Sequence, residues 1–460
     1  MSEEIRLPDV DRADLEKCGL ELLRHFKLFT PAARTEKTWQ PDRPAKFELA
    51  EDQIVGSLLS VTLDPMGKDV ERIAVHGKGT QHAFDKDGVK LLDELSERWA
   101  LHSALSEFTT TDAMRGRLLK WCEFNVHLGA PSSCVDSVMS DFHADLGEHE
   151  VWVQLAGIEV EVPFPMGPVE IRGVDGPQIE SWLGNLKIQG IEQKQIESAR
   201  SRYVEAWQGH TGAVFRALGD RSAVQSSAIE HAERACALMR VIDPRGANPT
   251  GRSFLQPVTL LSQSLTRQVM TDPHLTSCSL RSGLHEFEIL SHSVTRANVA
   301  QLWNEASFGA AHALLSAQPR SQFQEHLIGA SLIQARQRLT RDPVEKLIFT
   351  IASMETILYG GDRRSDQRHF KRRLCGLLAG TESMREHVFD TAKRSFELRN
   401  QFLHHGQRLR ELRVIESFLL LSWLFFRALL AHQGRWSSVE EFIGEMDAAY
   451  AGRFPDQATS

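Results

Sequence analysis

Apolar side chains recur every three to four residues over positions 11–28, where Leu15, Cys18, Leu22, Leu23 and Phe26 share one side and predict a helix. Pro31, Pro41 and Pro44 then interrupt the chain. Over residues 47–63, 70–75 and 119–128 the period changes, and β-branched and aromatic residues alternate with polar ones as in strands of a half-buried sheet. Residues 87–105 return to helical spacing. Residues 151–162 alternate on both sides of Ala156-Gly157 and read as a hairpin, residues 163–168 end it, and residues 169–172 predict one more strand. An N-terminal α+β domain ending near residue 175 is the simplest account.

Residues 176–242 carry helical patterning, clearest over 229–240, until a stretch rich in Pro, Gly and Asn at 243–251 breaks it. Residues 284–290 are strand-like and 295–318 helical, so 176–321 is a mixed, mainly helical middle region. Beyond it everything reads as helix: 322–339, 343–358, 367–379, 384–404, 409–431 and a short one near 438–450. Gly360-Gly361, Gly380 and Gly406 fall at helix C-termini, and short connections favour an antiparallel bundle. The expected fold class is α+β, a β-rich α+β region followed by an all-α bundle over 322–460.

With 460 residues, 42% hydrophobic and 25% charged, the chain suits a soluble protein of two or three domains. Cys18, Cys122, Cys134, Cys236, Cys278 and Cys375 form no C-x-x-C pair, which argues against a zinc site or disulfide framework and for a reducing cytoplasm. The acidic first five residues lack the apolar run of a secretory signal. Residues 414–431 are the most apolar segment, but Glu416, Ser417, Ser422 and Arg427 interrupt it, so a buried bundle helix is expected and no membrane partner. His210, His231, His285 and His292 lack metal-ligand spacing, and no glycine-rich stretch matches a phosphate-binding loop. No metal and no cofactor is therefore expected. Trp152, Trp182, Trp207 and Trp303 suit core or interface positions better than base-stacking platforms.

The net charge of −8 argues against a uniformly basic nucleic-acid binder, but charge is unevenly placed. Residues 1–150 hold 18 Lys/Arg against 28 Asp/Glu, whereas residues 361–413 hold 13 against 7. A polyanion such as RNA would be drawn to the second region. Arg363, Arg364, Arg368, Lys371, Arg372 and Arg373 fit a grip on an RNA backbone, or equally a solvated helix face.

Within this region lies Arg399-Asn400-Gln401-Phe402-Leu403-His404-His405-Gly406. Arginine offers a charged fork for a phosphate, asparagine can hold a ribose hydroxyl or a side chain, and histidine moves a proton near neutral pH. These suffice for RNA cleavage without a metal. The bland alternative pairs Arg399 with Glu397 or another acid and leaves His404 as a helix cap. If 384–404 is helical, His404 and His405 occupy its last turn, where the helix dipole favours imidazolium. Residues five apart on a helix are rotated by about 140°. A shared site then requires distortion or a second copy of the chain.

This motif resembles the R-x4-6-H signature of HEPN-domain ribonucleases, and the flanking sequence is similar to the Apea-like HEPN group. Gly329-Ala330-Ser331-Leu332 through Arg338-Leu339, then Asp342-Pro343-Val344-Glu345-Lys346-Leu347, then Met354-Glu355-Thr356-Ile357-Leu358 stand where that group has a helix, an Asp-Pro break and an Ala-Leu-Glu-like helix. Phe370-Lys371-Arg372-Arg373-Leu374-Cys375-Gly376-Leu377-Leu378 stands at its Arg-x-x-x-Leu-Leu pattern. The match covers about residues 322–452. It departs from the group in placing two histidines before Gly406, so either is eligible as the reacting imidazole.

The resemblance implies a HEPN-like bundle that homodimerises, so that two motifs face one composite cleft. It implies attack of a ribose 2′-hydroxyl on the adjacent phosphate, with Arg399 binding the charge, His404 transferring a proton and Asn400 orienting His or ribose. Glu355 would face the motif across the bundle or, equally, partner a structural arginine. The implied role is anti-phage or stress defence by cleaving RNA, tRNA for example, with a phage-derived or small-molecule trigger acting at the N-terminal region. The alternative, from a different class, is a catalytically inactive HEPN-type dimerisation protein that binds a ligand or a protein partner.

Overall fold

The computed structural model describes residues 5–28, 58–63, 69–75, 81–84, 86–126, 128, 130–188, 193–253, 255–257, 289–290, 292–304, 307–360, 366–405 and 411–455. These form two compact units, 1–149 with 216–226, and 150–215 with 227–460.

The first unit begins with helix α1 (Asp9–His25) and a four-stranded antiparallel sheet of β1 (Phe26–Leu28), β2 (Leu58–Leu63), β3 (Asp69–Val75) and β4 (Gln81–Phe84) in the order β1-β4-β3-β2. Helices α2 (Lys86–Ala100), α3 (Thr111–Asn125) and α4 (Cys134–Asp145) follow. Leu22, Leu92, Trp99, Leu118, Cys122 and Phe142 are fully buried between them. Residues 119–128, expected as a strand, belong mostly to α3 instead. Thr110 caps the helix by accepting from the Ala113 amide, and Met114, Leu118, Trp121, Cys122 and Asn125 bury one helical face. Periods of 2 and 3.6 cannot be told apart over so short a window, and burial chose the second.

In the second unit, β5 (Gly147–Ala156), β7 (Phe164–Met166), β8 (Val169–Gly173), β9 (Thr211–Gly219) and β11 (Gln256–Pro257) make a sheet in the order β11-β5-β9-β8-β7. β5 is not the arm of a hairpin with β6 (Ile158–Val160). β6 pairs in parallel with β13 (His292–Val294), while β10 (Arg252–Ser253) pairs in parallel with β12 (Ile289–Leu290). The local hairpin is β7–β8, with Phe164 opposite Ile171, in a stretch expected only to end the preceding strands. It turns at Gly167, whose φ of +65° disfavours a side chain and where a Cβ would lie 2.3 Å from Leu315. Helices α5 (Gly176–Ile188) and α6 (Gln193–Trp207) precede β9, which interrupts the helical run expected over 176–242. The strand-like residues 284–288 lie outside the described residues.

Helix α7 (Arg221–Ile242) ends in a 3-10 turn (Pro244–Ala247) capped by Asp243, and α8 (Val299–Asn304) and α9 (Phe308–Ser316) lead into the C-terminal helices. These are α10 (Gln322–Arg336), α11 (Pro343–Leu358), α12 (Gln367–Leu378), α13 (Glu382–His405), α14 (Leu412–Ala431) and α15 (Val439–Arg453). The all-helical C-terminal region matches the sequence reading because the starts of α10, α11, α12 and α15 carry their own capping signals. Ser321 and Asp366 form capping boxes, Asp342 caps the amide of Val344 ahead of Pro343 at the first turn, and Ser438 caps Glu441. Among the described residues α14 alone is long and apolar enough to cross a membrane, but Phe418, Phe425, Phe426 and Leu429 bury it within the fold. Burying each such side chain contributes about 1.5–3 kcal/mol. α13 packs against α11, α12 and α14, which positions the motif at its C-terminal end.

Candidate functional site

Arg399 is held by an aromatic relay that begins in the bundle core. The rings of Phe370 and Phe396, both fully buried, meet edge to face at 5.1 Å, and the Arg399 guanidinium lies 5.2 Å from the centroid of Phe396. Phe370 also meets Tyr359 edge-on at 6.2 Å. A cation over a ring face is attracted by its quadrupole, so this stack fixes the half-buried guanidinium without neutralising it.

Glu355 and Tyr359, one turn apart at the end of α11, share electrostatic surroundings with Arg399. Burial raises the Glu355 pKa above the ordinary carboxylate range, and the charge of Arg399 opposes that shift. The Tyr359 phenol is pushed up to about 12, first by burial and then by the Glu355 charge, again opposed by Arg399. Glu355 and Arg399 sense each other without a direct ion pair, and the buried Arg399 Nε has no hydrogen-bond partner among the described residues. The result is a half-buried cation with an idle N–H beside a carboxylate and a phenol.

Glu397 does not neutralise Arg399. Its carboxylate takes Nη1 of Arg394 at 2.8 Å, and Glu411 binds the Nε of the same guanidinium at 2.8 Å. Glu397 is thereby engaged by Arg394 rather than by Arg399.

His404 is exposed and Asn400 half-buried on the same helix. α13 is continuous through both, so Arg399 and His404 project about 140° apart. A single chain thus places Glu355 near Arg399 but leaves the imidazole on another face. The His405 side chain and Gly406 lie outside the described residues, as do Arg363 and Arg364.

The basic run divides. Arg368 is exposed, Lys371 lies 5.3 Å from the Phe389 ring centroid and Arg372 5.7 Å from that of Tyr450. Burial, followed by the neighbouring charge of Lys393, lowers the Lys371 pKa. Arg373 points inward instead. It is 5% exposed, with Nη1 donating to the Leu358 carbonyl at 2.6 Å and Nε shared between both Asp447 oxygens at 3.2 Å. Its role is to tie α11, α12 and α15 together, and it is withdrawn from the candidate RNA contacts.

Tyr359 and Phe396 were not singled out from sequence. Their only signal was spacing, four residues after Glu355 and three before Arg399. Among the described residues no group of three or more His, Cys, Asp or Glu side chains is placed to hold a metal ion. Comparison with family models, curated proteins and solved structures gives no match to this chain.

Proposed function

We propose that the chain is a metal-independent endoribonuclease acting through Arg399, Asn400 and His404, with the biological setting of anti-phage or stress defence implied by its resemblance to HEPN ribonucleases. The observation that carries this reading is the Arg399 site, a half-buried cation fixed over Phe396 and unpaired with Glu397. Such a group suits a non-bridging phosphate oxygen whose charge grows during reaction. The 2′-oxygen attacks phosphorus and the 5′-oxygen leaves, giving a 2′,3′-cyclic phosphate and a 5′-hydroxyl. His404 moves the proton, and Asn400 orients it or the ribose.

Because α13 sets Arg399 and His404 on different faces, the working site draws the two groups from two copies of the chain. Glu355 steadies Arg399. Arg368, Lys371 and Arg372 supply backbone contacts to the RNA.

The same divergence favours a second reading, a non-catalytic dimerisation protein that binds a ligand or protein partner. Incubating purified protein with total RNA in EDTA, followed by end-group analysis, separates the two. Cyclic-phosphate and 5′-hydroxyl ends that disappear in Arg399→Ala support the nuclease. Intact RNA, 5′-phosphate ends, or cleavage that EDTA abolishes would overturn it.

A further inference from the structure

Among the described residues, the second unit buries a cluster of positive charge that no neighbouring carboxylate balances in full. Arg240, in the last turn of α7, is 4% exposed; Arg338, just beyond α10, is 3% exposed; and Lys346, in the first turns of α11, is 0% exposed. Arg245 joins them across Asp243. Arg338 feels the charges of Arg240, Arg245 and Asp243, and Lys346 that of Arg338, so the groups form one electrostatic cluster.

Its negative charge falls short. Asp243 is bound by Arg245 at 3.0 Å and also caps the 3-10 turn, while Glu233 reaches Arg240 only through its field. Among the described residues no carboxylate forms an ion pair with Arg240, Arg338 or Lys346. Their partners are backbone carbonyls: Leu255 for Arg240, Asp243 for Arg338, and Gly251 and Asn248 for Lys346. Carbonyl dipoles soften a buried charge but do not cancel it.

Three donors remain idle. Arg240 Nε, and both Nε and Nη1 of Arg338, are buried with no partner among the described residues. Arginine cannot shed its proton to escape the mismatch. Nor can Arg338 swing away readily, because its guanidinium fills the space at Gly246 where a Cβ would lie 0.8 Å from Cζ. Burial and the Arg338 charge bring Lys346 down to about 7, so this third cation is available to an anion near neutral pH.

We propose that Arg240, Arg338 and Lys346 form a binding site for a small phosphoryl oxyanion, either inorganic phosphate or the phosphate of a mononucleotide. Such an anion offers several acceptor oxygens to the idle N–H groups and supplies the missing negative charge. The burial that fixes these donors excludes a polynucleotide. This site is distinct from Arg399 and does not depend on the nuclease reading.

The test uses the full chain in a buffer free of phosphate and sulfate. Inorganic phosphate and adenosine 5′-monophosphate are titrated at constant ionic strength, with melting temperature and calorimetric heat as readouts. One equivalent should bind and raise the melting temperature with concentration. A response to both ligands assigns the site to phosphate itself, and a response to the nucleotide alone assigns it to a nucleotide phosphate. Arg338→Met and Arg240→Met should each weaken binding at least tenfold. Lys346→Met leaves both guanidinium groups in place, and should weaken binding most below pH 7, which provides a second route if an arginine variant does not fold. No binding to the parent at millimolar ligand overturns the proposal, as does equal affinity in the parent and every folded variant.

Discussion

Glu397 accepts from Nη1 of Arg394 at 2.8 Å, and that pairing leaves the guanidinium of Arg399 to its ring and to the field of Glu355. The chain thus contains a cation unclaimed by the carboxylate closest to it in sequence, at the position where the proposed chemistry needs one.

Arg399→Ala and His404→Ala should each reduce RNA cleavage by about 10²- to 10⁴-fold while leaving the circular dichroism spectrum unchanged. His405→Ala should cause a partial loss; complete loss there with His404→Ala still active would shift the proton-transfer role by one position. Mixing the inactive Arg399→Ala and His404→Ala chains should restore part of the activity, because a mixed pair contains one intact arginine and one intact histidine. No restoration from chains shown by sedimentation to exchange partners would count against a site shared between copies.

Glu355 titrates above the ordinary carboxylate range because burial penalises its charge more than Arg399 relieves it. Cleavage that needs the ionised form should therefore rise as pH climbs through this raised value. Glu355→Gln should remove that acidic limb from the kcat/KM profile. An identical limb in the variant would remove Glu355 from the site.

Substituting Arg368, Lys371 and Arg372 together with Ser should lower the slope of log affinity against log salt by roughly 0.7 per lost phosphate contact to single-stranded RNA. Filter binding at several salt concentrations reads this directly. Arg373→Ser should behave differently, costing about 2–4 kcal/mol in urea unfolding because it strips charged hydrogen bonds from the Leu358 carbonyl and Asp447. A salt slope that follows Arg373 instead would place the RNA track elsewhere.

Lys346 has its pKa lowered to about 7 by burial first and by Arg338 second. The unfolded lysine, with a pKa near 10.4, holds its proton over a range where the folded one has lost it. Stability should therefore increase from about pH 7 towards pH 10, at up to about 1.4 kcal/mol per unit, and be least favourable below pH 7. Lys346→Met should flatten the curve and stabilise the neutral-pH form. Urea midpoints at pH 7, 8 and 9 check this, and parallel curves for parent and variant would show that the amine is not desolvated.

The C-terminal helices were legible because local chemistry and tertiary packing agree there: Ser321, Asp342, Asp366 and Ser438 mark starts that the bundle also requires. β9 was not legible. All of Thr211 through Phe215 are buried, so the strand lacks the alternation of a one-sided sheet and merges with the helical patterns around it. At the candidate site, the motif and Glu355 could be named from sequence, whereas the Phe396 shelf and the inward turn of Arg373 depend on contacts across helices. Lys346 shows the limit most plainly. On a helix it reads as a solvated lysine, and only the fold reveals the Gly251 and Asn248 carbonyls around it.

Asp220 belongs to the short return segment of the first unit, where it is fully buried, receives the Thr109 hydroxyl, and takes Nη1 of Arg117 at 2.9 Å. Ribosomes add about 5–20 residues per second, so this carboxylate emerges several seconds after residue 149. During that interval the nascent first unit has Arg117 without its buried counter-charge. Its completion therefore waits on the synthesis of 150–215, which couples the timing of the two units during translation and makes a chain stopped near residue 175 an incomplete product.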